Sequence, residues 1–98
     1  MPISVTQTVL YLFRTHEGVL IARARLDVTG LTAGSENSVP HGIVDYAGSG
    51  TKPLSVELEP TAANSPYQSQ IADETNMYLT VAADGATQCS AYVEWATT

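Results

Sequence analysis

The most constraining feature of this sequence is a period-two alternation of apolar and polar residues near its start. Residues 3–14 alternate in this way, and so do residues 19–28. Such alternation, rich in β-branched residues, is typical of β-strands. Residues 15–18 lie between the two stretches and read as a tight turn, in which Gly18 is free to adopt positive φ. The sequence therefore predicts that the chain opens with a long β-hairpin.

The alternation also assigns side chains to faces. One face of the first predicted strand carries Ile3, Val5, Gln7, Val9, Tyr11 and Phe13, and the other carries Ser4, Thr6, Thr8, Leu10, Leu12 and Arg14. Both faces become apolar over residues 10–13, which predicts that this end of the strand is covered on both sides. In the second strand, Arg23 and Arg25 share the face opposite Leu26.

Short alternating stretches recur along the rest of the chain. They predict strands at 38–41, 43–46, 54–59, 67–72, 77–82 and 87–96. Asp84-Gly85 predicts a hairpin turn between the last two strands. The pattern places Met77, Leu79 and Val81 inward, and Cys89, Val93 and Trp95 on one face of the closing strand. We therefore predict an all-β fold: a single domain over residues 1–98, a small antiparallel β-sandwich or barrel of six to eight strands.

Charge and cysteine content limit the classes of function. The net charge is −6, with residues 1–26 at +2 and the remainder at −8. Phosphate contacts need clustered Lys and Arg, so the balance argues against partners that are nucleic acids or anionic membranes. A single cysteine permits no internal disulfide, and no secretory leader or membrane-spanning run is recognisable. We expect synthesis in a reducing cytoplasm.

The candidates for chemistry are few. His16 and His41 have no second ligand at a metal-binding spacing. Cys89 lies mid-strand, where a buried small hydrophobe is expected. Glu57 and Glu59 share a strand face, as a carboxylate pair would, but they occupy the solvent-facing positions of an alternating strand. We predict no catalytic residue, no metal site and no cofactor, and hence that the chain is not an enzyme.

Three of the four cations fall on the opening hairpin: Arg14, Arg23 and Arg25. They either keep a sheet edge soluble, or give the molecule a basic end that docks on an acidic partner or on another copy. The sequence leaves both interpretations open. The residues predicted as candidate interface are these arginines and exposed aromatics: Arg14, Arg23, Arg25, Tyr11, Phe13, Tyr46, Tyr67, Tyr78 and Tyr92.

Several short motifs carry a resemblance. They are Leu31-Thr32-Ala33-Gly34, Asn37-Ser38-Val39-Pro40-His41-Gly42-Ile43, Asn76-Met77-Tyr78-Leu79-Thr80-Val81, and residues 89–95. Over residues 28–95 the chain resembles small β-sandwich virion proteins of tailed bacteriophages. The resemblance implies a capsid decoration (cement) protein or a tail or connector component, located in the virion. It also implies that His41 and Gly42 lie in a loop and that no residue is catalytic.

The leading hypothesis is therefore a non-catalytic virion structural protein. Its expected partners are major capsid or tail proteins and copies of itself, in a homo-oligomeric assembly. Two alternatives come from other classes. One is a small acidic inhibitor of a host protein, whose carboxylates would mimic phosphates along an exposed face. The other is a ligand-binding sandwich that uses tyrosines as stacking platforms, with Trp95 expected in the core.

Overall fold

Seven antiparallel strands form two sheets in the computed structural model, which describes residues 2–59 and 64–97. The strands are β1 (Ser4–Arg14), β2 (Leu20–Thr29), β3 (Glu36–Pro40), β4 (Ser55–Glu59), β5 (Tyr67–Gln70), β6 (Asn76–Thr80) and β7 (Cys89–Ala96). One sheet has the order β1-β2-β7-β4 and the other β3-β6-β5. The predicted small all-β sandwich that opens with a long hairpin is confirmed.

The core lies between the inward faces of the two sheets. In the four-stranded sheet, Ala24 lies opposite Val93 and Leu26 opposite Ala91. The three-stranded sheet contributes Met77 and Leu79, both fully buried, as the alternation predicted. Ile3, Val5, Val56 and Leu58 pack on this core from the sheet edges. Each alternating strand thus places one apolar face against the other sheet and turns its polar face outward.

Two buried polar side chains organise the loops around β3. The side-chain Nδ2 of Asn37 donates to the backbone carbonyls of Thr32, Ser35 and Leu79, and its Oδ1 accepts a hydrogen bond from the backbone amide of Thr32. His41, predicted as a turn residue, follows β3 and is 1% exposed. These side chains satisfy backbone groups that would otherwise be unpaired, which is how a buried loop becomes tolerable.

The β1–β2 hairpin sets the long dimension of the molecule. β1 has 11 residues and spans roughly 33 Å at the usual rise per residue. The principal extents are 45 × 23 × 21 Å, so β1 must run close to the long axis. The three-stranded sheet is built from strands of four or five residues and covers only part of this length.

A β-bulge in β1 corrects the predicted faces. The register steps from Val9 opposite Ala24 to Tyr11 opposite Arg23, so Leu10 is an extra residue. Because a one-residue insertion exchanges the two faces of a strand, Tyr11 and Phe13 lie on the outer face, while Leu12 joins Val9 on the inner face. The predicted common face for Val9, Tyr11 and Phe13 is wrong.

Two other local predictions are wrong. Residues 43–46 form no strand; they belong to a loop with one isolated bridge, between Val44 and Gly50. Asp84-Gly85 does form a turn, closed by the Gly85 amide on the carbonyl of Ala82. However, this turn carries the chain from β6 in one sheet to β7 in the other, so it is not a hairpin.

Within residues 2–59 and 64–97, the structure has no helix that is long and apolar enough to cross a membrane.

Candidate interaction surface at the hairpin end

Most of the large apolar side chains that remain exposed gather at one end of the molecule. Among the described residues, ten large hydrophobics are exposed, and seven of them lie at the turn end of the β1–β2 hairpin and on the adjoining loop. We call these seven the tip patch: Val9, Leu10, Tyr11, Leu12, Phe13, Val44 and Tyr46. Exposed apolar residues scattered singly are ordinary on a protein surface, whereas a contiguous cluster marks an interaction site.

Five of these residues are consecutive in β1. Val9, Leu10, Tyr11, Leu12 and Phe13 are between 40% and 58% exposed. The prediction that both faces are covered at this end is therefore wrong for the isolated chain, although both faces are apolar as expected.

The inner face of the hairpin end forms a shallow groove of about 290 Å³. Its walls are almost entirely apolar and include Val9, Leu12, Leu20, Val44, Tyr46 and Trp95. Trp95 is 5% exposed, so its predicted place in the core is confirmed. Its Nε1 donates to the carbonyl of Val44 at 3.0 Å, which fixes the loop beside the groove.

The loop that forms one wall of the groove is held by its own hydrogen bonds. Asp45 Oδ1 accepts the amides of Ala47 and Ser49, and the Asp45 amide donates to the carbonyl of Ser49. The Tyr46 amide donates to the carbonyl of Thr97 at 3.0 Å. Tyr46 itself is 81% exposed, so a firmly anchored backbone presents a solvent-exposed aromatic ring.

On the outer face, Tyr11 and Phe13 form an aromatic pair. Their ring centroids are 5.7 Å apart and the planes are tilted by 40°. Phe13 lies opposite Ile21, which is buried although it does not belong to the main core cluster. Arg14 lies at the end of the strand, where its Nη1 donates to the carbonyl of Gly18. The outer face of the hairpin end is thus apolar up to the turn.

Arg23 and Arg25 form ion pairs within the chain, although Arg23 lies directly opposite Tyr11 of the tip patch. Arg23 lies 3.5 Å from Glu57 and 3.6 Å from Glu94, and its guanidinium is 5.4 Å from the ring centroid of Tyr92. Arg25 forms an ion pair of 2.9 Å with Asp27. This hydrogen bond raises the pKa of Arg25, and hydrogen bonds from Ser90 and Arg25 lower the pKa of Asp27. Both arginines are therefore paired within their own chain.

The remaining candidate tyrosines lie elsewhere. Tyr92 is on the outer face of the four-stranded sheet, with its hydroxyl 3.3 Å from Glu59. Tyr67 and Tyr78 belong to the three-stranded sheet, and the Tyr78 hydroxyl is bonded to Asp73. The candidate interface residues thus fall into three separate groups. Arg14, Tyr11, Phe13 and Tyr46 lie at the hairpin end, and Arg23 borders it through its pairing with Tyr11.

Sequence reasoning missed the inner wall of the groove. Leu12, Leu20 and Val44 come from three separate segments, and only the fold brings them together. One indication was present in the sequence, namely the run of apolar residues at positions 9–13. No charged residue precedes Arg14 in the sequence. Together with the apolar run, this favours an intermolecular contact at β1.

The groups considered for chemistry occupy structural positions. Cys89 is buried, as predicted, and burial raises the pKa of its thiol to about 11, so the thiol stays protonated at neutral pH. His16 and Glu59 are exposed, as expected of a turn and of a solvent-facing strand position. Among the described residues, no group of three His, Cys, Asp or Glu side chains could hold a metal ion.

Comparison with known proteins gives no relative. No family model matches the chain, and neither a curated protein nor a solved structure is significantly similar to it. The tip patch and the sequence motifs are therefore the features that bear on function.

Proposed function

We propose that this chain is a non-catalytic structural protein of a virion, a capsid decoration or cement protein that binds other virion subunits. The observation that carries the proposal is the tip patch. Five consecutive apolar residues, 9–13, are exposed on both faces of a strand at a sheet edge. Such a surface is costly in water and is covered when a partner binds.

The anchoring of the patch supports a binding role. Hydrogen bonds from Trp95 and Tyr46 fix the loop beside β1, so the apolar side chains are held on an ordered backbone. A preorganised surface loses less conformational entropy on association than a disordered segment does. The resemblance of the sequence motifs to those of small β-sandwich virion proteins favours a virion as the kind of assembly.

The distribution of acids gives less support to a phosphate mimic. That function needs carboxylates ordered along one exposed face. On the outer face of the four-stranded sheet, Glu57 and Glu94 flank Arg23, and Asp27 is bonded to Arg25. Carboxylates that are interleaved with guanidinium groups present a mixed surface instead of a line of negative charge.

The stacking alternative also gains little from the geometry. Tyr67 and Tyr78 share the outer face of the three-stranded sheet, Tyr92 lies on the outer face of the other sheet, and the hydroxyls of Tyr78 and Tyr92 contact acids of the chain itself. Tyr46 is the one aromatic of this set that borders an apolar groove. A groove with so few polar groups offers little to orient a sugar.

Quantitative mass spectrometry of purified particles tests the proposal. Virions from a host that carries the gene would be isolated by density gradient and washed in high salt. The expected result is this chain at a fixed ratio to the most abundant shell protein. Its absence from washed particles would overturn the proposal.

Two leucine variants sharpen this test. Leu12 is 58% exposed within the tip patch, and Leu54 is 65% exposed before β4. When the native gene is replaced, Leu12→Lys should reduce incorporation into particles, while Leu54→Lys should not. Both substitutions add the same charge at an exposed leucine, so equal incorporation of the two variants would contradict a role for the patch.

A further inference from the structure

We infer that the tip patch is covered by a second copy of this chain, which pairs with it edge to edge through β1 about a two-fold axis at Leu12. This inference deepens the proposed function, because it names the partner of the surface on which that function depends. Pairing would join the two four-stranded sheets into one continuous sheet of eight strands.

The two sheets have four edge strands, β1, β3, β4 and β5, and they differ in how well they are protected against pairing with another chain. Exposed edges are usually protected by short length, charges, proline or bulges. β3 has five residues and includes Glu36 and Pro40; β4 has five and includes Glu57 and Glu59. β5 has four residues and a register break. Each of these three edges is therefore poorly suited to pairing with another chain.

β1 differs from the other edges. It has 11 residues, and among the described strands it pairs with β2 alone. From Ser4 to Phe13 it contains no charged residue and no proline. Its single protective feature is the bulge at Leu10, which leaves residues 11–14 beyond it in regular register with β2. This apolar stretch is the edge of the molecule most suited to adding a strand.

A two-fold interface must be self-complementary, and the apolar part of β1 meets this requirement. An antiparallel pair centred on Leu12 places Leu12 opposite its own copy, and Tyr11 opposite Phe13 of the second copy. Directly opposed residues share a face, and the bulge has already set Tyr11 and Phe13 together on the outer face. The two Leu12 side chains then meet on the inner face, while four aromatic rings cluster on the outer one.

The same register would also bring the grooves of the two copies together. Leu12 and Val9 line the groove of their own chain on the inner face. The two grooves would therefore lie side by side on the same face of the joined sheet. Because an antiparallel edge pair keeps like faces together, they would merge into one apolar channel across the two-fold axis.

The distribution of charge also favours β1 as the contact between two copies. The chain carries −6 overall, so two copies repel each other unless they meet where charge is low. Residues 9–13 are uncharged, and the adjoining turn has Arg14 balanced by Glu17. The proposed register separates the two Arg14 side chains by four positions, roughly 13 Å, which exceeds the screening length at physiological salt.

The area that the contact would bury is consistent with a weak dimer. The exposed parts of residues 9–13 amount to on the order of 500 Å² per copy. Covering both copies removes on the order of 1,000 Å², about the lower limit for a specific interface. The expected complex is therefore a weak, concentration-dependent dimer that many contacts in an assembled particle would stabilise further.

Cysteine cross-linking tests the register. At the two-fold axis, opposed Cα atoms lie at a separation compatible with a disulfide. Leu12→Cys should therefore give a covalent dimer under mild oxidation. Thr6→Cys is the matched control, because Thr6 is also exposed on β1 but lies roughly 40 Å from its copy in this register. The wild-type chain controls for Cys89, which is buried.

Sedimentation velocity over a concentration series supplies the second measurement. The wild-type chain should dimerise, and Leu12→Lys should raise the dissociation constant about tenfold or more, because two ammonium groups would face each other at the axis. Leu54→Lys should leave the dissociation constant unchanged. A chain that stays monomeric at every concentration overturns the inference, as does a dimer that cross-links through Thr6→Cys and not through Leu12→Cys.

The outcomes separate this inference from the proposed function. A monomer that is nevertheless present in washed virions, with its tip patch bound to a different shell protein, overturns self-pairing and leaves the proposed function standing. A dimer that cross-links at Leu12 but is absent from virions supports self-pairing and removes the proposed function.

Discussion

The hydroxyl of Tyr78 donates a hydrogen bond of 2.5 Å to Oδ2 of Asp73. Oδ1 of the same carboxylate accepts the amides of Thr75 at 2.9 Å and Asn76 at 2.7 Å. These three donors lower the pKa of Asp73 to about 2, because each of them favours the charged form. The anionic acceptor in turn raises the pKa of Tyr78. One side-chain pair therefore fixes the turn that leads into β6.

This pair predicts a pH window for stability. Asp73 has a lowered pKa, so its contribution is present above its ordinary value of 3.8 and is lost as pH falls toward 2. Tyr78 has a raised pKa, so its contribution is present below 10.0 and is lost at higher pH. Tyr78→Phe should therefore lower the free energy of unfolding by a constant amount between these limits, with the loss shrinking outside them.

Urea unfolding of the wild-type chain and Tyr78→Phe across this pH range measures the effect. Tyr67→Phe is the control, because Tyr67 is an exposed tyrosine of the same sheet. A difference between wild type and Tyr78→Phe that is as large at pH 2 as at neutral pH would contradict the assignment.

The buried imidazole of His41 bridges two backbone segments. Its Nδ1 accepts the Ile43 amide at 3.0 Å, so Nε2 carries the proton and donates to the carbonyl of Asp73 at 2.7 Å. His41→Ala leaves both backbone groups unpaired and creates a cavity, which should lower the free energy of unfolding by roughly 2–4 kcal/mol. Thermal and urea unfolding would show it. His16→Ala, at the exposed turn, should change stability little, and equal effects would refute the bridging role.

Gly18 and Gly30 both adopt positive φ, so alanine variants at the two positions can separate the cost of backbone strain from the cost of a steric collision. Gly18 has φ 87° in open space, whereas Gly30 has φ 80° and lies against the carbonyl oxygen of Pro2. Gly18→Ala should cost about 1 kcal/mol from the left-handed conformation alone. Gly30→Ala should cost more, because an added Cβ would push the start of the chain away from β2. Urea midpoints decide this, and an equal cost for the two variants would count against close packing at Gly30.

Arg23 should contribute to the folding stability of the chain through its ion pairs with Glu57 and Glu94 of the same chain. Arg23→Glu would place three carboxylates together with Glu57 and Glu94, which should lower the free energy of unfolding by about 1 kcal/mol at low salt. High salt should reduce the loss, since screening weakens the repulsion. The double variant Arg23→Glu/Glu57→Arg should recover part of it. If the single variant instead abolished dimerisation without any loss of stability, Arg23 would belong to the interface.

The parts of the fold that follow from local pattern could be predicted from the sequence. Period-two alternation identified the long hairpin, the inward positions of Met77 and Leu79, and the burial of Cys89 and Trp95. These predictions succeed because each concerns which of two faces a side chain takes. That choice is set by the polarity of immediate neighbours.

The parts that failed depend on contacts distant in sequence. Nothing around Leu10 distinguishes a bulge from a regular strand, since residues 9–13 are apolar throughout and both registers bury similar groups. The Asp84-Gly85 turn joins two sheets because β7 pairs with β2, whose residues lie 61 to 75 positions earlier in the chain. His41 is buried because Asp73 lies beside it. Only the assembled sandwich brings these groups together.

The place of β7 within the four-stranded sheet governs when the chain acquires its structure during synthesis. The backbone pairing of β2 and β4 runs through β7, which pairs with both strands and is translated after them. Until β7 leaves the ribosome, the opening hairpin has no neighbour on its β2 side, and most of its apolar surface stays in water. Folding therefore waits for a long-range closure step, so it should be slow for a domain of this length and sensitive to crowding by other nascent chains.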